Sequence, residues 1–380
     1  MFSIFKTFFL LGWISFGGPA AHIGYFRHTF VEKLKWLDES EYAQLVALSQ
    51  FLPGPGSSQV GFAIGYKKGG LTGAIAAFIG FTFPSVALML ALALLSSQVT
   101  DSSWFQHSIH GLKLLAVVVV ADATLTMYRS FCRNNTAILL CLITAIALLT
   151  VPSLFTQIGM LIIAALVGQK YLASELKTKV SIGRFHVVPL LIFASLLIGL
   201  PLLSSYAPAF GLFNEFLQAG SLVFGGGHVV LPLLQNIVGD QLSQDAFLTG
   251  YAAAQAVPGP MFTFATYIGY YLLPDTPLLG SAIATIAVFL PGFLLLLSVL
   301  DNWQSLAKHS KLSGAINGVN AAVVGLLISA LYQPVFVSAV LSGFDMAAVL
   351  LGLFWLKQKK IPIVALVAIF ILLGITMSYI

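Results

Sequence analysis

The sequence predicts an all-α polytopic membrane protein made of two inverted-topology repeats, each with two broken or re-entrant helical hairpins followed by about four membrane-crossing helices. Three observations predict it. Of 380 residues, 58% are hydrophobic and 8% charged, with a mean hydropathy of +0.96, whereas a soluble domain carries roughly a quarter charged residues. A glycine break followed by a Pro-Gly-Pro break occurs twice. Lys and Arg crowd certain loops of the first copy and avoid the equivalent loops of the second.

The Pro-Gly-Pro break lies within Gln50-Phe51-Leu52-Pro53-Gly54-Pro55-Gly56-Ser57-Ser58-Gln59, inside an otherwise apolar helical run, and returns as Gln255-Ala256-Val257-Pro258-Gly259-Pro260. Proline lacks a backbone donor and clashes with the preceding turn, so the motif ends one helix and its last proline suits the start of the next. In hydrocarbon such a break is tolerated only where protein or a water-filled cavity covers the freed groups. The motif therefore predicts a buried site. The glycine break Phe16-Gly17-Gly18-Pro19 with His22 returns as Phe224-Gly225-Gly226-Gly227-His228. Because a cleaved leader would not be duplicated inside the mature chain, the apolar N-terminus is expected to stay in the protein.

Phe16 aligns with Phe224, Gln50 with Gln255, Ile64-Gly65-Tyr66 with Ile268-Gly269-Tyr270, Pro84 with Pro291, and Ile109-His110-Gly111 with Ile316-Asn317-Gly318. The offset is nearly constant, which marks a duplication. Arg27, Lys33, Lys35, Lys67 and Lys68 flank the first Pro-Gly-Pro segment, while the matching second-copy loops hold Asp240, Asp245 and Asp275; no Lys or Arg occurs between Arg184 and Lys308. Equivalent loops thus face opposite sides, cytoplasmic in the first copy and external in the second.

From this rule each segment follows in order. The glycine-break segment and the Pro-Gly-Pro segment of the first copy enter and return on the cytoplasmic side. Segments at 72–95, 107–128, 136–150 and 155–171 then cross in turn, with Arg129, Arg133, Lys170, Lys177, Lys179 and Arg184 inside. A segment at 186–203 crosses outward, hairpins at 212–236 and 246–272 follow, and crossings at 279–300, 314–333, 346–356 and 361–380 complete thirteen segments. The expected organisation is an N-terminal repeat at 1–171, a linker with a connecting helix at 172–210, and a C-terminal repeat at 211–380. The N-terminus is expected in the cytoplasm and the C-terminus outside.

A helix N-terminus at mid-depth offers free N–H groups and a positive dipole end to an anion. Gly56, Ser57, Ser58 and Gln59 add hydroxyls and an amide, neutral donors suited to a tetrahedral oxyanion; the second copy has Met261-Phe262-Thr263 there, so the two halves are expected to be unequal. Gly17, Gly18, Gly225 and Gly226 would permit close backbone approach. His22 and His228 either donate to an anion, carry a coupling proton or serve the fold. Gln50 and Gln255 either bind substrate or satisfy the broken helix end. Lys113, whose partner in the other copy is Asn320, either neutralises a passing dianion or snorkels to the outer interface. Asp122 is read as a proton site or as a partner for the Arg129 end. The alternative throughout is that these breaks are tight turns at the membrane surface.

Other classes are disfavoured. The net charge of +5 lies in short clusters between apolar runs, so no nucleic-acid partner is expected. Cys132 and Cys141 lack metal-ligand or thioredoxin spacing. No Gly-x-x-x-x-Gly-Lys-Ser/Thr and no His-Glu-x-x-His occurs, so neither a nucleotide motor, an enzyme, a metal nor a cofactor is expected.

Phe16-Gly17-Gly18-Pro19 with His22, Val31 to Trp36 before Leu37-Asp38-Glu39, Gln50 through Gln59, Gly65-Tyr66, Phe224-Gly225-Gly226, Gln255 through Pro260 and Pro291-Gly292 together resemble the chromate ion transporter family in its long, two-repeat form. The resemblance runs nearly end to end. It implies an inner-membrane exporter of chromate, with sulfate as a competitor, thirteen segments, opposed halves, and a role in metal resistance for many members. His228 directly follows Gly227 with no proline matching Pro19, so the second glycine break is expected to be built differently. The site implied by motif and resemblance comprises Gly17, Gly18, His22, Gln50, Pro53, Gly54, Pro55, Ser57, Ser58, Gln59, Lys113, Gly225, Gly226, His228, Gln255, Pro258, Gly259 and Pro260, with no catalytic residue. The partners are the lipid bilayer, chromate and sulfate, and a homodimer is one assembly the reading allows.

Overall fold

The computed structural model describes residues 1–16, 18–99, 103–173, 186–224, 230–238, 241–300, 310–359 and 361–377. Among them every regular element is helical. The first copy contributes α1 (Phe2–Ile14), α2 (Gly18–Phe26), α3 (Glu39–Phe51), α4 (Gly56–Val99), α5 (Ser103–Phe131), α6 (Asn135–Thr150) and α7 (Leu154–Tyr171). After α8 (Val187–Leu203), the second contributes α9 (Pro208–Leu222), α10 (Val230–Val238), α11 (Gln244–Ala256), α12 (Phe264–Leu272), α13 (Pro277–Val299), α14 (Ser310–Ala330), α15 (Gly343–Phe354) and α16 (Ile363–Met377). Four helical stretches, Gly56–Leu95, Gln106–Phe131, Pro277–Val299 and Ser310–Ala339, are long and apolar enough to cross a membrane.

The elements around the breaks are short for chemical reasons. Helices α1, α3 and α11 have 13 residues each, about 20 Å at 1.5 Å per residue, against a hydrocarbon core of about 30 Å. Asp38 starts α3 with a capping box: its side chain accepts from Glu41 N at 2.7 Å while Glu41 Oε2 accepts from Asp38 N at 3.3 Å. Ser243 caps α11 through Ala246 N at 3.2 Å. Both helices then run into Pro-Gly-Pro and stop. In α4 the helical path breaks again at Gly69 and Gly70, the latter with φ of 62°, just after Lys67-Lys68. The first hairpin thereby ends where the basic pair predicts, and a separate apolar helix begins.

Close glycine contacts recur in matched pairs, some between the copies and some within each. Gly111 of α5 lies against the Phe370 carbonyl and Gly374 of α16, and Gly318 of α14 lies against the Ala164 carbonyl and Gly168 of α7. Gly12 of α1 meets the Phe81 carbonyl of α4, and Gly220 of α9 meets the Val288 carbonyl of α13. Gly65 faces Gly73, as Gly269 faces Gly280. Small residues let backbones approach where lipid supplies no hydrophobic drive for helix association.

Two bundles result. Helices α1–α4 and α8–α13 pack together around the breaks, and α5–α7 pack with α14–α16. The bundles meet where α11 lies along α5 and α16, and where α10 touches α14. Among the described residues, α3 and α2, the first-copy equivalents of α11 and α10, have no comparable packing on α14, α7 or α5. The bundle interface is therefore lopsided.

A Cβ at position 318 would stand 3.0 Å from the Cα of Gly168 and closer still to the Ala164 carbonyl. Gly318→Val should cost about 1–3 kcal/mol by overpacking, read as a lowered melting temperature of the detergent-purified protein, whereas Gly159→Ala, with open space around it, should leave it unchanged.

Candidate functional site

The two Pro-Gly-Pro breaks are tied by crossed backbone hydrogen bonds to residues that precede the two glycine breaks. Gly54 N donates to Val223 O at 2.7 Å, and Gly259 N donates to Ser15 O at 2.9 Å. Each Pro-Gly-Pro glycine is thus held by the carbonyl just before the other copy's glycine break. Gly54 and Gly259 have φ of 120° and 96°, a region that favours glycine. A Cβ at Gly54 would lie 2.9 Å from Gly292 Cα, and one at Gly259 would strike Ser85 Oγ. These are requirements for glycine on two independent grounds.

Side chains close the remaining valences. Gln59, fully buried, donates through Nε2 to Pro53 O and to Gly292 O, both at 3.0 Å. The matching position to Gly292 is Ser85, whose hydroxyl donates to Pro258 O at 2.5 Å. The Pro258 carbonyl of the second break is thus capped by the first copy's proline-kinked helix, whereas in the first break Gln59 caps Pro53 O within its own copy and donates to a carbonyl of the second copy's proline-kinked helix. Phe62 and Phe293 stack beside the crossing at 4.2 Å between ring centroids, with Phe78 edge-on to Phe293.

His22 is fully buried. Its Nε2 donates to Ser15 O at 3.1 Å, and its Nδ1 lies 3.1 Å from Ser57 Oγ. Because a carbonyl can only accept, Nε2 carries the proton; in the neutral ring Nδ1 accepts from the Ser57 hydroxyl. Ser15 O thus receives both the His22 ring and the Gly259 amide. Ser58 is 3% exposed and its hydroxyl has no hydrogen-bond partner among the described residues, nor do Ser15 Oγ, Gln59 Oε1 and Thr82 Oγ1. Unpaired polar atoms buried beside one crossing are uncommon, since burial without a partner is costly.

The sequence-predicted residues divide accordingly. Gly18, His22, Pro53, Gly54, Pro55, Ser57, Ser58, Gln59, Pro258, Gly259 and Pro260 belong to or adjoin this crossing. Gly17, Gly225, Gly226 and His228 lie outside the described residues. Gln255 donates to Met261 Sδ at 2.6 Å, and Gln50 is exposed. Downstream of the second break, Met261, Phe262 and Thr263 form a buried 3₁₀ turn in which Thr263 Oγ1 donates to Pro260 O at 2.8 Å. That half offers no counterpart to Ser57 and Ser58.

Lys113 lies away from the crossing and pairs with Asp245 at 2.5 Å, bridging α5 to the first turn of α11. Asp122 pairs with Lys357 at 2.6 Å, and Lys357 also donates to Thr126 Oγ1 at 3.2 Å. Sequence reasoning missed Ser15 and Ser85, whose partners come from the opposite copy. It also missed Lys357, more than two hundred positions from Asp122.

The chromate transporter profile matches residues 2–169 and again 210–375. The chain belongs to the chromate transporter family. Members of that family are transporters rather than enzymes, and this one is a multi-pass membrane protein. Similar proteins include an uncharacterized transporter of Methanocaldococcus jannaschii, 29% identical over 98% of this chain and 93% of its own length. A probable chromate transport protein of Synechococcus elongatus is 28% identical over 97% of this chain and 94% of its own. A chromate transport protein of Cupriavidus metallidurans is 28% identical over 97% and 91%. No solved structure matches the chain.

Gln59→Leu should leave the Pro53 and Gly292 carbonyls unpaired, costing about 1–3 kcal/mol for each group stranded, and should lower the melting temperature. Ser58→Ala removes an unbonded hydroxyl and should not. A Ser58→Ala protein that melts as early as Gln59→Leu would show that Ser58 has a structural partner.

Proposed function

We propose that this protein is a secondary transporter that exports chromate across the inner membrane by alternating access around the crossed breaks. The observation that carries the reading is the convergence of four breaks, from two copies, on one buried crossing that holds unpaired hydroxyls. Family membership and the similarity to chromate transport proteins such as that of Cupriavidus metallidurans support chromate as substrate. An inside-negative potential drives a dianion outward with roughly 2 × 2.3 kcal/mol per 100 mV, so no nucleotide is required. Sulfate or another oxyanion is the second reading, because a tetrahedral dianion of similar size meets the same neutral donors.

His22 offers a route to proton coupling. Protonation at Nδ1 turns Ser57 from donor to acceptor, which frees the Ser57 O–H and adds a positive charge beside Ser58. Both changes favour an anion.

The inverted arrangement is supported by the loop charges together with the contacts they anticipate. Lys113 and Asp245, both assigned to the external side, touch; so do Asp122 and Lys357, both near the cytoplasmic side. The lopsided bundle interface then reads as a state closed outside by α11 on α5 and open inside, where α3 stands off α14. Lys113 and Asp245 latch the outer closure. Their equivalents, Asn320 in the second copy and Ser40 in the first, are uncharged, and Asn320 Oδ1 has no hydrogen-bond partner among the described residues. The opposite state has no matching ion pair, so the latch biases the protein toward the cytoplasm.

Cells expressing the chain should accumulate less chromate than cells carrying Gly54→Val, with both proteins present in the membrane at equal amount; equal accumulation would sink the chromate reading. Competition by sulfate in inside-out vesicles separates the two anions. For the latch, a cysteine at Ser40 should react with an impermeant thiol reagent from the cytoplasmic face, about tenfold more slowly when Lys113→Gln removes an ion pair of about 1–2 kcal/mol. The swap Lys113→Asp with Asp245→Lys should restore the rate. Labelling indifferent to all three would remove the latch without touching the substrate.

A further inference from the structure

Asp345, at the first turn of α15, is 2% exposed. Its Oδ2 accepts from Leu341 N at 3.0 Å, Ser342 N at 2.9 Å and Ser342 Oγ at 2.9 Å, and its Oδ1 from His110 Nε2 at 2.8 Å. A nest of donors is thus filled by a carboxylate the chain supplies itself.

The first copy contains the same place without the carboxylate. Gly325 packs on Thr144 and Gly352 packs on Val118, which sets the correspondence of α6 with α15 and of α5 with α14. In that register Asn134, which caps α6 through Ala137 N at 2.9 Å, matches Ser342, which caps α15 through Asp345 N at 3.2 Å. Ala137 matches Asp345, and Asn317 matches His110. Where Asp345 would stand there is a methyl group, and beside it a cavity of about 240 Å³ lined by Ser130, Arg133, Asn134, Ala137 and Asn317, with Phe131 and Leu172 as its apolar wall. Arg133 has no hydrogen-bond or ion-pair partner among the described residues.

We propose that this cavity binds a phosphate group in the place that the Asp345 carboxylate occupies in the other copy. An arginine fork matches phosphate geometry in two parallel hydrogen bonds, and the Asn134 and Asn317 side chains supply neutral amide donors. The N-terminus of α6 adds its dipole. Two sources share this chemistry: the head group of an anionic phospholipid, whose leaflet a basic cytoplasmic loop faces, and free inorganic phosphate. The inference is independent of which anion the protein transports.

The test uses the full chain purified in detergent with phosphatidylglycerol, with retained lipid counted by native mass spectrometry, and separately the delipidated protein titrated with inorganic phosphate while its melting temperature is followed. Arg133→Gln, an exposed change, should lower retention or the phosphate midpoint affinity by about tenfold, the worth of one charge-assisted contact. Ala137→Asp, which gives α6 its own carboxylate, should abolish binding with Arg133 still present. Loss of phosphatidylglycerol in both variants assigns a lipid head group; loss of the phosphate-induced shift assigns a free anion. Should Ala137→Asp fail to fold, Arg133→Gln decides alone. Binding of both probes unchanged by Arg133→Gln, or no binding of either by the unmodified chain, overturns the proposal.

Discussion

The arrangement depends on two backbone hydrogen bonds, Gly54 N to Val223 O and Gly259 N to Ser15 O. A helix broken in hydrocarbon strands amides and carbonyls that water cannot reach, each at a cost of several kcal/mol. Here every break satisfies the other copy's break. In this chain each half therefore completes the backbone pairing of the other's Pro-Gly-Pro break. The positive φ of both glycines, the close approach of Gly292, and the caps from Gln59 and Ser85 all follow from bringing two non-helical segments into contact.

This dependence makes polar groups at the crossing serve two ends at once. Gln59 looks from sequence like a substrate ligand, yet both its amide hydrogens are directed at carbonyls. His22 is fixed through Ser15 O, the acceptor that also anchors Gly259, so any change in the His22 ring is felt at the second Pro-Gly-Pro. Ser58 escapes such duty, and it lies in the half that the second copy does not reproduce. Where Ser57 bonds His22 and Ser58 has no partner among the described residues, the second copy has Phe262 and Thr263 in a closed 3₁₀ turn.

The helices were legible because their signals are local. Asp38 with Glu41, Ser243, Asn134, Ser342 and the prolines act within a turn, and glycine contacts such as Gly12 on α4 follow from small residues spaced along apolar helices. Helices α6 and α15 lie within three residues of the segments expected at 136–150 and 346–356, and α3 and α11 stop just before the Pro-Gly-Pro motifs. The site was legible only as a neighbourhood. Which break bonds to which depends on packing between copies, and nothing near Gly54 in sequence points to Val223. Lys113 shows the same limit: its charge was readable, its partner Asp245 was not, because the pair joins helices from different bundles.

The duplication also explains how equal scaffolds acquire unequal properties. Three ion pairs between the copies lack a charged counterpart at the equivalent positions: Lys113 with Asp245 against Asn320 with Ser40, Asp345 with His110 against Ala137 with Asn317, and Asp122 with Lys357 against Ser329 with Leu149. An ion pair sheltered from water is strong only while both partners are present, since a lone buried charge is penalised heavily. Such pairs are accordingly kept or lost as units. Each unit lost on one side leaves either a neutral contact that opens easily or a cavity with spare donors. On the proposed mechanism, two copies of common descent can in this way favour one side of the membrane without any change in the helices themselves.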